Sequence, residues 1–337
     1  MPYSKQKGEK MRYIDNDCTD PYFNLALEEY LLREKNGEYF VLWRNEPCIV
    51  VGKNQNTLSE INEEYIKKHN IKVVRRQSGG GGVFHDLGNL NFTFIVEDDG
   101  KKFNDFETFV TPIIGVLNEL GINAEFSGRN DLLIEGKKFS GNAQCKYKNR
   151  VMHHGTLLFS SDIVNLSDAL ISKPIKFSDK AVKSVSSRIT NINEYLKNSL
   201  NVIEFKNKIF EYISRAEEGK GITTLDNQEI EEISNLAKTK YKTWQWNFGQ
   251  SPKYNFYNEK KFSAGTIELS IDVEKGVMKH IRIFGDFFGE ENIEEIEKML
   301  INKNHNAEEI QSVLDNINIK NYFANISKEE FLSLFFV

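Results

Sequence analysis

The first half of the chain alternates between helical and strand-like spacing of its apolar residues. In PYFNLALEEYLL (21–32), Phe23, Ala26, Leu27, Tyr30 and Leu31 recur at offsets of three and four. That spacing predicts a helix with one apolar face, with Glu28 and Glu29 pointing elsewhere, and Pro21 suits its first turn. EYFVLWR (38–44) and CIVVG (48–52) read as strands around an Asn45-Glu46-Pro47 turn. LSEINEEYIKKHN (58–70) has amphipathic helical spacing, and IKVVRR (71–76) reads as a strand running into the glycine cluster Gly79 to Gly82. In NLNFTFIV (89–96), Leu90, Phe92, Phe94 and Val96 share one strand face, while Asn91 and Thr93 take the other.

Asn104 and Glu107 suggest a capping box for a helix stacking Phe106, Phe109, Val110, Ile113, Ile114 and Leu117, bent at Pro112 and ended by Gly121. Residues 124–160 read as a meander of short strands, with turns at Glu135-Gly136 and Lys148-Asn149. Helical spacing returns over 162–172, 202–217 and 227–239. The aromatic, turn-rich stretch YKTWQWNFGQSPKYN (241–255) suggests a boundary near 250–257. A strand with a turn near Glu274-Lys275-Gly276 follows it, then helices over 291–301 and 306–316 and a short one at the end. The expected class is α+β: a loose leader (1–10), a large domain of mixed sheets flanked by helices (11–250) and a small α/β domain (257–337).

Composition narrows the function classes. Aromatics make up 12% of the 337 residues, enough for a sizeable core. The net charge of -5 lacks the basic excess of a non-specific nucleic-acid binder. Cys18, Cys48 and Cys145 are widely spaced and form no CxxC pair, which argues against a disulfide framework or a structural zinc site. No stretch approaches the roughly 18 apolar residues of a membrane span. The polar start has no signal-peptide apolar region, and the expected setting is a reducing cytoplasm.

The most informative segment is Arg75-Arg76-Gln77-Ser78-Gly79-Gly80-Gly81-Gly82-Val83-Phe84-His85-Asp86. Four glycines remove every Cβ from a loop, so backbone N–H groups can approach an anion closely. Arg76 can offer a forked donor to a carboxylate or phosphate. The spacing is neither the Walker pattern nor GxGxxG opening a helix, since a strand follows at Asn89. A flexible surface loop is the alternative; the arginines, Ser78 and His85 favour a ligand loop. In the second segment, GRNDLLIEGKKFSGNAQCKYKNRVMHHGTLLF (128–159), Lys137 and Lys138 precede Ser140-Gly141. Strict alternation lets only one of these lysines look into a pocket, and a solvated surface lysine is the default for either. His153 and His154 point oppositely on a strand and make a poor metal pair.

RRQSGGGGVFHDLGNLNFTF, GRNDLLIEGKKFSGNAQ and HHGTLLF, in that order and spacing, resemble the bacterial lipoate–protein ligase A family. The helix bearing Asn24 and Glu28 resembles the family's opening NxAxEE, and the tail FANISKEEFLSLFF its small accessory domain. Biotin protein ligases share the fold, but their glycine loop carries several arginines, a pattern absent here. The resemblance implies two steps. Lipoate attacks the α-phosphate of ATP and releases pyrophosphate, then a lysine of a lipoyl-domain protein takes the lipoyl group and AMP leaves. Such chemistry asks for anion-stabilising groups and a pocket for an apolar acyl tail, not for an enzyme nucleophile.

The resemblance implies that Lys138, the lysine of KxSG, is the essential lysine holding the α-phosphate and the acyl carboxyl oxygen. It assigns Arg76, Gly81, Gly82, Val83 and Phe84 to ATP and lipoyl-adenylate binding. Ser78, His85, Asn89, Asp131 and His154 fall at pocket positions, and Lys183 lies in the stretch resembling the adenylate-binding loop (180–192). Gly82 stands where the family usually has alanine. Mg²⁺ is expected with ATP, with Asp131 a candidate ligand. Expected partners are lipoate and lipoyl-domain acceptors, namely E2 subunits of 2-oxoacid dehydrogenases and the glycine-cleavage H protein, with no nucleic acid, no membrane and a monomeric enzyme. The accessory domain is expected to reorient between the two steps, with Trp244, Trp246 and Gly249 close to the hinge.

Two other readings share this fold: an octanoyl or lipoyl transferase working through a cysteine thioester, and a non-catalytic lipoate or nucleotide binder. Cys145 is the only cysteine near the motifs. It lies seven residues after Lys138, so strict alternation places it on the opposite face, as a small packing residue.

Overall fold

The computed structural model describes residues 11–53, 55, 57–127, 130–162, 170, 188–215, 221–249, 254–263, 265–285, 291–323 and 326–336. The chain forms two compact units, one of Met1–Lys53 and Asn70–Thr243, the other of Asn54–His69 and Trp244–Val337.

The first unit is built on a seven-stranded sheet. Its strands in chain order are β1 (Arg12–Asp15), β2 (Tyr39–Trp43), β6 (Asn89–Glu97), β7 (Ala124–Ser127), β8 (Asp131–Ile134), β9 (Lys137–Tyr147) and β10 (Arg150–Leu158). Their order across the sheet is β1-β2-β6-β10-β9-β8-β7. Only the β1–β2 pair is parallel. The 124–160 meander appears as expected, and its Glu135-Gly136 turn has φ of 50° and 74°, which the tight hairpin requires. A small sheet holds β3 (Cys48–Val51) between β4 (Lys72–Arg75) and β5 (Val83–His85).

Leu90, Phe92, Phe94 and Val96 all join one core. There they meet α3 (Phe106–Glu119) through Phe109, Val110, Ile113 and Leu117, and α4 (Val202–Ser214) through Phe205, Ile209 and Phe210. The cap of α3 differs from the expected box. Asp105, not Asn104, accepts from the Thr108 N–H at 3.2 Å. Asn104 sits at φ 72°, its N–H bound to Gln144 Oε1 at 2.7 Å, because the chain must turn before the helix can start.

On the opposite sheet face lies α1 (Pro21–Arg33), capped by Asp20. Its C-terminal carbonyls at Leu31 and Leu32 accept from the buried Arg150 guanidinium at 2.6 and 3.0 Å. Helix α5 (Asn227–Leu236) packs beside α1 and leads into a π-helical turn over Ala237–Tyr241.

The second unit contains α2 (Glu63–His69) and an antiparallel sheet of β11 (Tyr254–Phe262), β12 (Gly265–Glu274) and β13 (Val277–Gly285). Strand β11 occupies sequence read as the boundary and the start of a single strand. Lys275-Gly276 makes the expected turn, at φ of 52° and 77°. Helices α6 (Glu294–Leu300), α7 (Ala307–Asp315) and α8 (Lys328–Leu332) cover the sheet around Phe323, Phe331 and Phe335. The architecture is α+β. The helix expected over 162–172 falls almost wholly outside the described residues. Among the described residues no helix is long and apolar enough to cross a membrane.

Candidate functional site

The glycine loop joins β4 to β5, and Arg76 holds it together. Its guanidinium donates to Val50 O (3.1 Å), Gly79 O (2.6 Å), Gly81 O (2.8 Å) and Ser78 Oγ (3.0 Å). The fork expected to face a ligand is therefore largely engaged with two loop carbonyls, the Ser78 hydroxyl and a β3 carbonyl, and burial lowers its pKa. Gly80 adopts φ +92°, and a Cβ on Gly52 would lie 2.1 Å from Gly80 O. A Cβ on Gly79 or Gly81 would meet nothing within 4 Å. The fold itself thus demands glycine at 52 and 80, whereas 79 and 81 face open space where a ligand can approach.

Behind the loop runs a chain of polar side chains. Trp43 Nε1–H donates to Thr93 Oγ1 (2.9 Å), and the Thr93 hydroxyl donates to Glu28 Oε1 (2.6 Å). His154 Nδ1 faces the Glu28 carboxylate at 2.9 and 3.1 Å. On its other side, His154 Nε2 lies 2.7 Å from Ser78 Oγ. Ser78, His154 and Glu28 thus repeat the order of a hydrolase triad. Ser78 is nevertheless fully buried and accepts from Arg76. A nucleophile needs an exposed oxygen; this set instead braces Arg76 and the loop.

Lys138 sits where β9 is irregular. Leu132 pairs with Ser140 but Leu133 pairs with Lys138, leaving Phe139 as an extra residue. Phe139 and Ser140 are consequently both buried. The bulge restarts the alternation, so Lys138 shares a face with Gly141, Ala143 and Cys145. The expectation that Cys145 lies on the opposite face fails for this reason. Lys138 Nζ pairs with Asp131 Oδ1 at 2.8 Å, both side chains more than a third exposed. Its backbone is pinned by Arg188 O (2.8 Å) and the Thr190 N–H (2.9 Å). A Cβ on Gly141 would lie 3.2 Å from Lys138 Nζ, so the ammonium lies over the bare glycine.

These parts surround one cavity of about 180 Å³ in the first unit. Of the residues expected at the site, Arg76, Gly81, Gly82, Val83, Lys138, His85 and His154 line it. Phe84 does not, because alternation along β5 buries it on the other side. Ser78 and Asn89 are buried behind the wall, and Asp131 reaches the site through its ion pair with Lys138. Lys183 lies outside the described residues. Among the described residues no group of three His, Cys, Asp or Glu side chains could hold a metal ion.

Comparison with known proteins gives this cavity a family. Residues 20–214 match the model described as lipoyl protein ligase A/B catalytic domain, and 251–335 match bacterial lipoate protein ligase C-terminus. The chain belongs to the lipoate–protein ligase family. It is 43% identical to lipoate-protein ligase LplJ of Bacillus subtilis, covering 97% of this chain and 100% of that one. It is 45% identical to lipoate–protein ligase 1 of Staphylococcus aureus, covering 96% and 99%. Among solved structures it resembles a bi-partite lipoate protein ligase, studied with its E2 lipoyl domain, from Thermoplasma acidophilum. That match has a TM-score of 0.65 and 26% identity, and covers 74% of this chain and 99% of that one.

Several cleft features of this lipoate–protein ligase escaped the sequence reading. Glu28 and Glu29, off the apolar face of α1, are nevertheless buried. Glu29 accepts from Gln77 Nε2 (2.7 Å), Tyr241 O–H (2.7 Å) and Lys240 Nζ (2.7 Å), so its buried charge is paired. Trp43, Asn91, Asn130, Asn142 and Thr156 also line the cleft. The available signal was Asn and Thr interrupting apolar strands, since polar groups inside a sheet need partners. As for the thioester route, burial pushes the Cys145 thiol up to about 12, which leaves little thiolate at neutral pH.

Proposed function

We propose that the chain is an ATP-dependent lipoate–protein ligase. It activates lipoate to lipoyl-AMP with release of pyrophosphate, then transfers the lipoyl group to a lysine of a lipoyl-domain protein. A carboxylate oxygen attacks the α-phosphorus and the bond to the β-phosphate breaks. The acceptor's ε-amine then attacks the acyl carbon, an amide forms, the C–O bond to AMP breaks and the amine loses a proton. The carrying observation is the family match together with a cleft that sets a bare glycine loop and Lys138 around one cavity.

In this reading Lys138 leaves Asp131 for the α-phosphate and acyl carboxyl oxygen, supplying positive charge rather than a covalent bond. Loop amides at Gly81 and Gly82, with Val83 at the start of β5, contact the adenylate, and Arg76 shapes that loop. Ser78 and His154 brace it, His85 belongs to the inner pocket with Asn89 supporting the pocket residue Asn91 from behind, and Lys183 belongs to the adenylate loop. Mg²⁺ enters as the ion of ATP, held by the triphosphate and at most one carboxylate, with Asp131 the candidate. A lone carboxylate beside substrate phosphates fits the way this ion is usually bound. Residues 11–250 are the catalytic domain and 257–337 the accessory domain, a division supported by matches to separate catalytic and C-terminal models. The enzyme acts as a monomer in the cytoplasm on E2 lipoyl domains and the glycine-cleavage H protein. The relationship to a ligase studied with its E2 lipoyl domain supports that acceptor class.

Pyrophosphate–ATP exchange measured with lipoate, octanoate and biotin tests this reading. Exchange driven by lipoate or octanoate is expected. No exchange with any acid at saturating Mg²⁺ and ATP would indicate a binder, and exchange with biotin alone a biotin ligase.

A further inference from the structure

Four buried side chains run in file to the wall of the cleft. The Cys18 backbone N–H donates to Asn16 Oδ1 at 3.2 Å, so the other end of that amide is its NH₂, which donates to Asn24 Oδ1 at 2.7 Å. Asn24 Nδ2 lies 2.9 Å from both Cys18 O and Arg44 O, and 2.8 Å from Asn45 Oδ1. Backbone carbonyls only accept, so the Asn24 amide has a single orientation. The two Asn24 hydrogens are shared among three oxygens, and an Asn45 NH₂ turned that way would meet an amide nitrogen that cannot accept, so Asn45 keeps its oxygen toward Asn24 and its NH₂ toward His85 Nδ1, 3.1 Å away. A ring nitrogen that receives a hydrogen bond carries no proton, so the neutral imidazole keeps its proton on Nε2. The ring is neutral because burial, with help from Arg76 and His154, brings its pKa down to about 3.

That Nε2–H is buried and has no hydrogen-bond partner among the described residues, and His85 lines the cleft. A buried donor is costly to leave unpaired. Arg76 and Lys138 line the same cleft, so the ligand group it meets lies in a positive field. The substrates of the proposed reaction carry two kinds of anionic oxygen acceptor, carboxylate and phosphate.

We propose that Asn24 and Asn45 are positioning residues that lock His85 in its Nε2–H tautomer, and that this N–H donates to an anionic oxygen of bound substrate. The acceptor comes from the acyl carboxylate or a nucleotide phosphate, and the inference rests on the ligase reading of the cleft. The opposite tautomer would aim a lone pair at that oxygen and repel it.

The test is two-bond ¹H–¹⁵N correlation spectroscopy of the full chain labelled in its six histidines, with His85 assigned from the loss of its signals in His85→Gln. At neutral pH the expected pattern is a protonated Nε2 and an unprotonated Nδ1. The reverse pattern overturns the proposal whatever the enzyme catalyses. Adding lipoate alone, or ATP alone, should shift the Nε2–H signal in the arm that supplies the oxygen. No shift in either arm, from enzyme that performs pyrophosphate exchange, overturns the donor role. Absence of exchange would count against the ligase reading and leave the tautomer result standing. Asn45→Asp puts an acceptor oxygen against Nδ1. It should invert the tautomer and raise the KM of the responding substrate roughly tenfold. An inverted tautomer with unchanged KM would refute the proposal, and if this variant does not fold the wild-type spectra decide.

Discussion

Replacing Gly141 by alanine separates the placing of Lys138 from the stability of the strand beneath it. The new Cβ would stand 3.2 Å from Lys138 Nζ and 3.3 Å from its Cε, so the lysine end must move by a few tenths of an ångström or more. The displaced lysine loosens its 2.8 Å pair with Asp131. Both side chains are well exposed, and such pairs contribute only about 0.2–1 kcal/mol. Alanine in a strand interior recovers roughly 0.5–1 kcal/mol over glycine. The two effects offset, so the unfolding midpoint should hardly change. Activity should respond differently. Removing one preorganised donor aimed at developing charge costs roughly hundredfold to thousandfold in rate, which sets the ceiling on losing the lysine's contact. Lys138→Met should reach that ceiling in lipoate-dependent pyrophosphate exchange. Gly141→Ala, which displaces the lysine without removing it, should lose less, about threefold to thirtyfold. Full exchange by Lys138→Met would refute the role given to the lysine. Full exchange by Gly141→Ala alone would refute the claim that the bare glycine positions it.

Cys145→Ala should keep full exchange and acyl transfer, and the native thiol should react slowly with iodoacetamide at neutral pH, because burial holds its pKa near about 12. Gly155→Ala should destabilise the first unit by about 1–3 kcal/mol in urea unfolding, since its Cβ would lie 2.2 Å from Asn142 Oδ1 and 2.5 Å from Phe92 Cε1; an unchanged midpoint would contradict the packing of β10. Acid should weaken the protein before its carboxylates titrate. Burial lowers the pKa of His85 to about 3, of His305 to about 4 and of His153 well below its usual range. Unfolded histidine takes up its proton near ~6.5, so the unfolded state binds more protons between that pH and the lowered values. Stability is therefore complete above ~6.5 and falls with pH below it, by at most about 1.4 kcal/mol per pH unit for each ring. Equal stability at pH 7 and pH 5 would show that the rings are not held neutral.

The large elements were legible because apolar periodicity reports one face of each. Leu90, Phe92, Phe94 and Val96 entered the core as their period of two required. The glycine loop was legible through composition, whereas Lys138 and His154 were singled out only by the resemblance to a family. Other features depended on partners far away in the chain. Glu28 and Glu29 fell off the apolar face by helical spacing, yet Thr93, His154, Gln77, Lys240 and Tyr241 supply the partners that let them be buried.

The order of residues along the chain carried the class of fold and the glycine loop, which depend on local spacing, and the family resemblance that singled out Lys138. Folding in three dimensions settled which atoms face one another. One extra residue at Phe139 turned Lys138 and Cys145 onto the same face, reversing what strict alternation implied. Arg76, read as a fork for a ligand, spends its donors on its own loop and on a β3 carbonyl. The proton of His85 is positioned by an amide chain that begins at Cys18, sixty-seven residues away in sequence. Hydrogen bonds join groups about 3 Å apart whatever their separation along the chain, and that proximity exists only once the sheet has closed around the cleft.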